Sequence, residues 1–151
     1  MKASELRIEN LVMGGDYEGI CRVRTIDDIE NVCYVLRLEY SGQMINGVQL
    51  DLNELNPIPL TKEWLVKFGF FEGNDVASGE DGYYFSESEI PKIRIAFDDA
   101  HGVFVSIRFH FTHEWTDLHN PFKSEKSNFI YVHQLQNLYF ALTGQELKIP
   151  F

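Results

Sequence analysis

The sequence predicts an α+β fold. A β-rich half occupies residues 1–59, and a linker helix, a β-meander and a packed C-terminal helix occupy residues 60–151. Three observations carry this. Turn signals close short alternating segments at about ten-residue spacing through the first half. Pro57-Ile58-Pro59 then stops the sheet pattern, because proline supplies no ladder donor. Apolar residues finally recur at three- and four-residue steps near the end of the chain.

In the first half, residues 6–13 alternate at Leu6 and Ile8 and then run apolar up to the turn cluster Gly14-Gly15-Asp16. Ile20 to Ile26 has the strand period, with Ile20, Arg22 and Arg24 on one face and Cys21, Val23 and Thr25 on the other. Val32 to Tyr40 is β-branched and aromatic. Asn46-Gly47 is a tight-hairpin signal, and Val48 to Leu52 alternates after it. Four or five short strands of this kind suit a small antiparallel barrel or curled sheet, SH3-like or Tudor-like.

In the second half, Thr61 is placed to cap a two-turn helix. Leu60 and Leu65 occupy its staple positions, Trp64, Leu65 and Phe68 share one face, and Gly69 follows its end. Residues 72–82 read as a polar, mobile loop. Gly82 to Ser86, Ile90 to Phe97 and Val103 to Phe111 form a meander, with the odd positions of the last strand facing a core. Residues 112–128 read as irregular. A helix from Asn128 to Leu142, capped by Asn128 and ended by Gly144, carries Val132, Leu135, Leu138, Tyr139 and Leu142 on one stripe. The whole chain is expected to pack as one compact unit.

The 151 residues include 13 Lys+Arg and 23 Asp+Glu, a formal charge of −10. With 12 Phe, 7 Tyr and 2 Trp, this is a folded chain and not a disordered acidic one. The charge is uneven: residues 1–100 hold nine basic and nineteen acidic groups, and residues 101–151 hold four of each. Such a field repels phosphate backbones, which disfavours direct non-specific binding of nucleic acid. No apolar run approaches the roughly 18 residues of a membrane span, and the first ten residues lack a signal-peptide core. A cytoplasmic chain with reduced, buried Cys21 and Cys33 is expected.

No motif commits the chain to catalysis. His110, His113 and His119 lie close in sequence beside Glu114 and Asp117. They are weak metal candidates, because His110 and His113 point to opposite faces of an extended chain. Paired carboxylates at Asp27-Asp28, Glu80-Asp81 and Asp98-Asp99, with Asp75, Glu87 and Glu89, fall in turn or loop patterns where such residues are common. Nucleophile elbows and phosphate loops are missing, and no cofactor is implied. Binding surfaces have more support: Tyr17, Tyr34 and Tyr40 on the first half, Trp115 in an aromatic loop, and Tyr131, Gln134 and Tyr139 on the terminal helix.

Three stretches carry a resemblance. These are Met1 to Val12, Pro57-Ile58-Pro59-Leu60-Thr61-Lys62-Glu63-Trp64-Leu65-Val66-Lys67-Phe68-Gly69-Phe70, and Tyr131-Val132-His133-Gln134-Leu135-Gln136-Asn137-Leu138-Tyr139-Phe140-Ala141-Leu142-Thr143-Gly144. Together they resemble a family of short proteins, of no assigned activity, encoded by gut Bacteroidetes and by their phages and prophages. Members of that family have Ile-Gly-Asn where this chain has Ile8-Glu9-Asn10. The resemblance implies a mobile-element setting and a cytoplasmic location, and it brings no catalytic residue. The leading expectation is a non-catalytic protein-interaction module with an unknown protein partner. The alternatives are a nucleic-acid-associated module or acidic nucleic-acid mimic, and an enzyme using the His110–His119 segment.

Overall fold

The computed structural model describes residues 1–15, 19–38, 44–75, 80–86, 92–98, 102–109, 114–118 and 131–149. Among them the chain is α+β, with two antiparallel five-stranded sheets and two helices. It divides into two compact units. Met1–Pro59 and Tyr131–Glu146 make the first, and the second begins at Leu60 and holds the second sheet. No helix of the described residues is long and apolar enough to cross a membrane.

The first unit contains β1 (Leu11–Gly14), β2 (Gly19–Asp27), β3 (Val32–Leu38), β4 (Met44–Asp51) and β5 (Leu55–Asn56). They pair in the order β4-β3-β2-β1-β5, with a 3-10 turn at Leu52–Glu54 before the last strand. No ladder joins β4 to β5 among the described residues, so the sheet is not a closed barrel. Leu6, Val12, Cys21, Val23, Cys33, Val35, Leu52 and Leu55 form its core. Period-two spacing puts Cys21 and Val23 of β2, and Cys33 and Val35 of β3, on one face, and Leu6 and Leu52 join them from outside the strands.

Two sequence expectations fail inside these strands for the same reason, an extra residue in the ladder. The register shifts between Val23 and Thr25, so the alternation read across Ile20 to Ile26 breaks at Arg24 and Ile26 turns to the core side. Asn46-Gly47 is not a hairpin turn. It is a bulge within β4, where Leu36 pairs Gly47, Arg37 pairs Ile45, and Asn46 has φ 27°. The Tyr34 ring lies across Gly47, in the space a side chain there would fill.

Helix α2 (Val132–Thr143) begins later than the sequence suggested. Gln134 Oε1 accepts the Tyr131 N–H at 3.0 Å, which fixes the first turn there, and the expected cap Asn128 lies outside the described residues. Gly144 ends the helix as anticipated, at φ 70°. The sequence reading grouped this helix with the meander, but its contacts group it with residues 1–59. Gln136 Oε1 accepts the Leu11 N–H at 2.8 Å, and Asn137 Oδ1 accepts from Asn10 Nδ2 at 2.9 Å. Arg7 adds a 2.9 Å ion pair to Glu146 and stacks on the Phe140 ring.

The second unit contains α1 (Lys62–Lys67), β6 (Phe71–Asp75), β7 (Glu80–Phe85), β8 (Lys92–Asp98), β9 (Gly102–Arg108) and β10 (Thr116–Leu118), with strand order β10-β9-β8-β7-β6. Trp64, Leu65 and Phe68 are all buried, as their helical spacing required. Thr61 sits at the N-cap position without capping the helix; its hydroxyl donates to Glu63 and holds that carboxylate below its usual range. The described residues of the expected 72–82 loop, 72–75 and 80–82, are instead in paired strands, and β10 occupies part of the expected irregular stretch. Pairing against β7 and β9 overrides the weak strand propensity of those polar residues.

Candidate functional site

The register of the second sheet sorts its side chains onto two faces. Tyr84, Ile93, Ile95, Val103, Val105 and Ile107 share one face and are buried. Full burial of each such aliphatic contributes about 1.5 to 3 kcal/mol. The opposite face carries different chemistry. Lys92 pairs Arg108 across β8 and β9. The next row runs Phe71, Phe85, Arg94 and Ser106, and the row after it Gly73, Tyr83, Ala96 and Phe104. Trp115 precedes Thr116, which pairs Ile107, so it flanks Arg108.

These side chains interlock. The Arg94 guanidinium carbon lies 4.5 Å from both the Tyr83 and Trp115 ring centroids, and that of Arg108 lies 4.7 Å from Trp115. Lys92 Nζ stands 5.8 Å from Phe71 and 5.9 Å from Phe85. Phe85 is the hub, with ring centroids 5.8 Å from Phe71, 6.2 Å from Tyr83 and 5.9 Å from Trp115. A Cβ at position 73 would stand 3.3 Å from the Phe85 ring, closer than ordinary van der Waals contact, so the ring packs directly over this glycine. Arg94 Nη2 also donates to Ser106 Oγ at 3.3 Å. At the margins, Phe71 is 47 % exposed and Phe104 is 48 % exposed. Among the described residues, neither Lys92 nor Arg108 has a carboxylate within ion-pair distance.

No family model, curated protein or solved structure matches the chain. The reading of this face therefore stands on its own chemistry. Guanidinium and ammonium groups held over rings are attracted by the ring quadrupole. Rings and arginines in contact are the residue types that dominate binding energy at protein interfaces.

The residues singled out from the sequence are divided by the structure. Trp115 belongs to the aromatic–cationic face. Tyr131, Gln134 and Tyr139 are half-buried on α2, in the other unit. Gln134 is engaged in the first turn of its helix, and the Tyr139 carbonyl accepts the Thr143 hydroxyl at 2.7 Å. Tyr131 stacks on His133 at 8° between ring planes. Tyr34 covers Gly47, while Tyr17, Tyr40, His110, His113 and His119 lie outside the described residues. Among the described residues no three His, Cys, Asp or Glu side chains are placed to hold a metal.

The remaining polar groups support structure. Asp27 Oδ1 accepts the Ile29 and Glu30 N–H groups at 3.0 Å, which makes the β2–β3 turn. Burial raises the thiols of Cys21 and Cys33, the latter to about 11, so both are protonated and unreactive at neutral pH. Sequence reasoning missed Phe71, Tyr83, Phe85, Lys92, Arg94, Phe104 and Arg108. The signal was present: the alternation that marked Val103, Val105 and Ile107 as inward also marked Phe104 and Arg108 as outward. Only the cross-strand register brings them together.

Proposed function

We propose that this chain is a non-catalytic protein-interaction module that docks its partner on the aromatic–cationic face of the second sheet. The observation that carries this reading is the concentration of Lys92, Arg94 and Arg108 among Phe71, Tyr83, Phe85, Phe104 and Trp115, in a chain whose net charge is −10. Phe71 and Phe104 are half open to solvent, whereas Phe85 is itself buried, and rings of the first kind release ordered water when covered. Stacked arginines are already fixed in position, so binding them costs little further side-chain freedom. The resemblance of residues 57–70 and 131–144 supports a phage or prophage setting and a cytoplasmic location. The strand order of the first unit, with a 3-10 turn before β5, supports an SH3-like or Tudor-like relation.

A second reading is favoured by the same face. Aromatic side chains interleaved with cations form stacking platforms for single-stranded nucleic acid. The negative charge over residues 1–100 opposes it.

A photo-crosslinking amino acid placed at Phe104 tests the docking reading, with one placed at the exposed Ile29 of the first unit as control. In cells that carry the gene, illumination is expected to give a discrete protein adduct from position 104 and none from position 29. Equal labelling at the two positions overturns the reading.

A further inference from the structure

We infer that Lys92 and Arg108 together seat one carboxylate of the partner, and that a large apolar side chain next to that carboxylate covers Phe71. The inference rests on the docking reading above and names the group that the face recognises.

Register creates the seat. Lys92 and Arg108 are directly opposed, at the start of β8 and the end of β9, which sets their Cβ atoms about 5 Å apart. Like charges placed so repel, and among the described residues no carboxylate lies within ion-pair distance of either. One anion between them relieves that repulsion and gains two attractions. Arg108 offers it a planar fork of donors, and Lys92 a compact charge.

Both cations are open to such a ligand. Their side chains are half-buried and rest on rings, Lys92 near Phe71 and Phe85 and Arg108 on Trp115. Among the described residues no hydrogen bond or ion pair engages either side chain, and neither has a nitrogen that is buried without a partner. Their donors therefore face solvent. Arg94 is not part of the seat, because its Nη2 donates to Ser106 Oγ and its Nε is buried.

Phe71 sets the apolar contact. It is 47 % exposed, and Lys92 Nζ stands 5.8 Å from its ring centroid, so a side chain next to the seated carboxylate reaches the ring. Covering it releases water.

Charge number separates a carboxylate from a polyphosphate. Two open cations balance one or two negative charges, whereas residues 61–100 hold nine acidic groups against four basic ones. A nucleic acid brings a charge with every nucleotide and meets that field along its length. A single carboxylate places its charge only in the seat.

The test uses the full chain and three probes: the capped peptide acetyl-Gly-Asp-Phe-Gly-amide, its Asn-for-Asp analogue, and an oligothymidylate. Binding is followed by amide chemical shifts and by Trp115 emission in a Trp64→Phe background. The Asp peptide is expected to saturate the protein at least fivefold more tightly than the Asn analogue. Lys92→Glu sets a carboxylate opposite Arg108 within the chain itself. It is expected to hold or raise the melting temperature and to abolish the preference for Asp, while Lys92→Arg keeps that preference. Equal affinity for the two peptides, no saturable binding of either, tighter saturation by oligothymidylate, or an undiminished preference in Lys92→Glu each overturns the inference. The Phe104 crosslink decides the docking reading separately: an adduct that persists in Lys92→Glu leaves docking standing and removes only the carboxylate seat.

Discussion

The Arg94 guanidinium carbon is 4.5 Å from the centroid of the Trp115 ring, so a planar cation is stacked on the largest aromatic of the exposed face. Lysine keeps the charge but not the plane or the fork of donors. Arg94→Lys is expected to lower stability by about 1 kcal/mol, and Arg94→Ala by more, because the bond to Ser106 is lost as well. In a Trp64→Phe background, the emission of Trp115 reports the same loss as a red shift. An Arg94→Lys variant with unchanged emission and stability would show that stacking is incidental.

Gln136 does the work of a missing strand neighbour. Its carboxamide accepts from the Leu11 N–H at 2.8 Å and donates to the Glu9 carbonyl at 3.3 Å, and the residue is buried. Gln136→Ala leaves two backbone groups unpaired, which costs about 2 to 4 kcal/mol. Gln134→Ala on the same helix, which removes only a first-turn bond, should cost about 1 kcal/mol. Urea titration of the two variants measures the difference.

Glu9 has φ 75°, a left-handed conformation that glycine adopts without strain. Its carboxylate offsets the strain by pairing with Arg24 at 2.6 Å and Arg22 at 3.5 Å. Glu9→Ala keeps the strain and loses the pairs, whereas Glu9→Gly loses both. The glycine variant should therefore be more stable than the alanine variant by about 1 kcal/mol. Molar salt should close the gap between wild type and Glu9→Gly, because the pairs are screened. Denaturation at low and high NaCl reads both effects.

His133 is buried on α2, and burial pushes its pKa down from 6.5 to about 4; Glu5 opposes the shift and the terminal amino group adds to it. Between those values the unfolded chain binds a proton that the folded chain does not. Stability should therefore hold above pH 6.5 and fall as the pH drops toward 4, with about 2 kcal/mol lost by pH 5. His133→Phe, which can retain the stack on Tyr131, should lack this slope. Equal slopes for the two proteins would contradict the assignment.

The sequence made the core legible because burial follows period. Val103, Val105 and Ile107 are inward at alternate positions, and Trp64, Leu65 and Phe68 share the buried side of a short helix. What it hid were interactions between residues distant in sequence. Asn46-Gly47 has the composition of a turn, but its pairing with β3 makes it a bulge, with the Tyr34 ring lying over Gly47. Gln136 and Asn137 are polar residues of α2 whose composition suits a surface, yet both face inward, because Leu11 and Asn10 supply their partners. The aromatic–cationic face was hidden in the same way. Each strand offered one or two outward rings or cations, and only pairing assembles them around Phe85.

The most direct measurement is the dissociation constant of the partner crosslinked at position 104, once purified, for wild type and for Phe71→Ala/Phe104→Ala. Both rings are about half exposed, so their truncation should leave the melting temperature nearly unchanged. The account predicts binding at least tenfold weaker in the double variant, as expected when interface rings are removed. Wild-type affinity in that variant, with the fold intact, would contradict it.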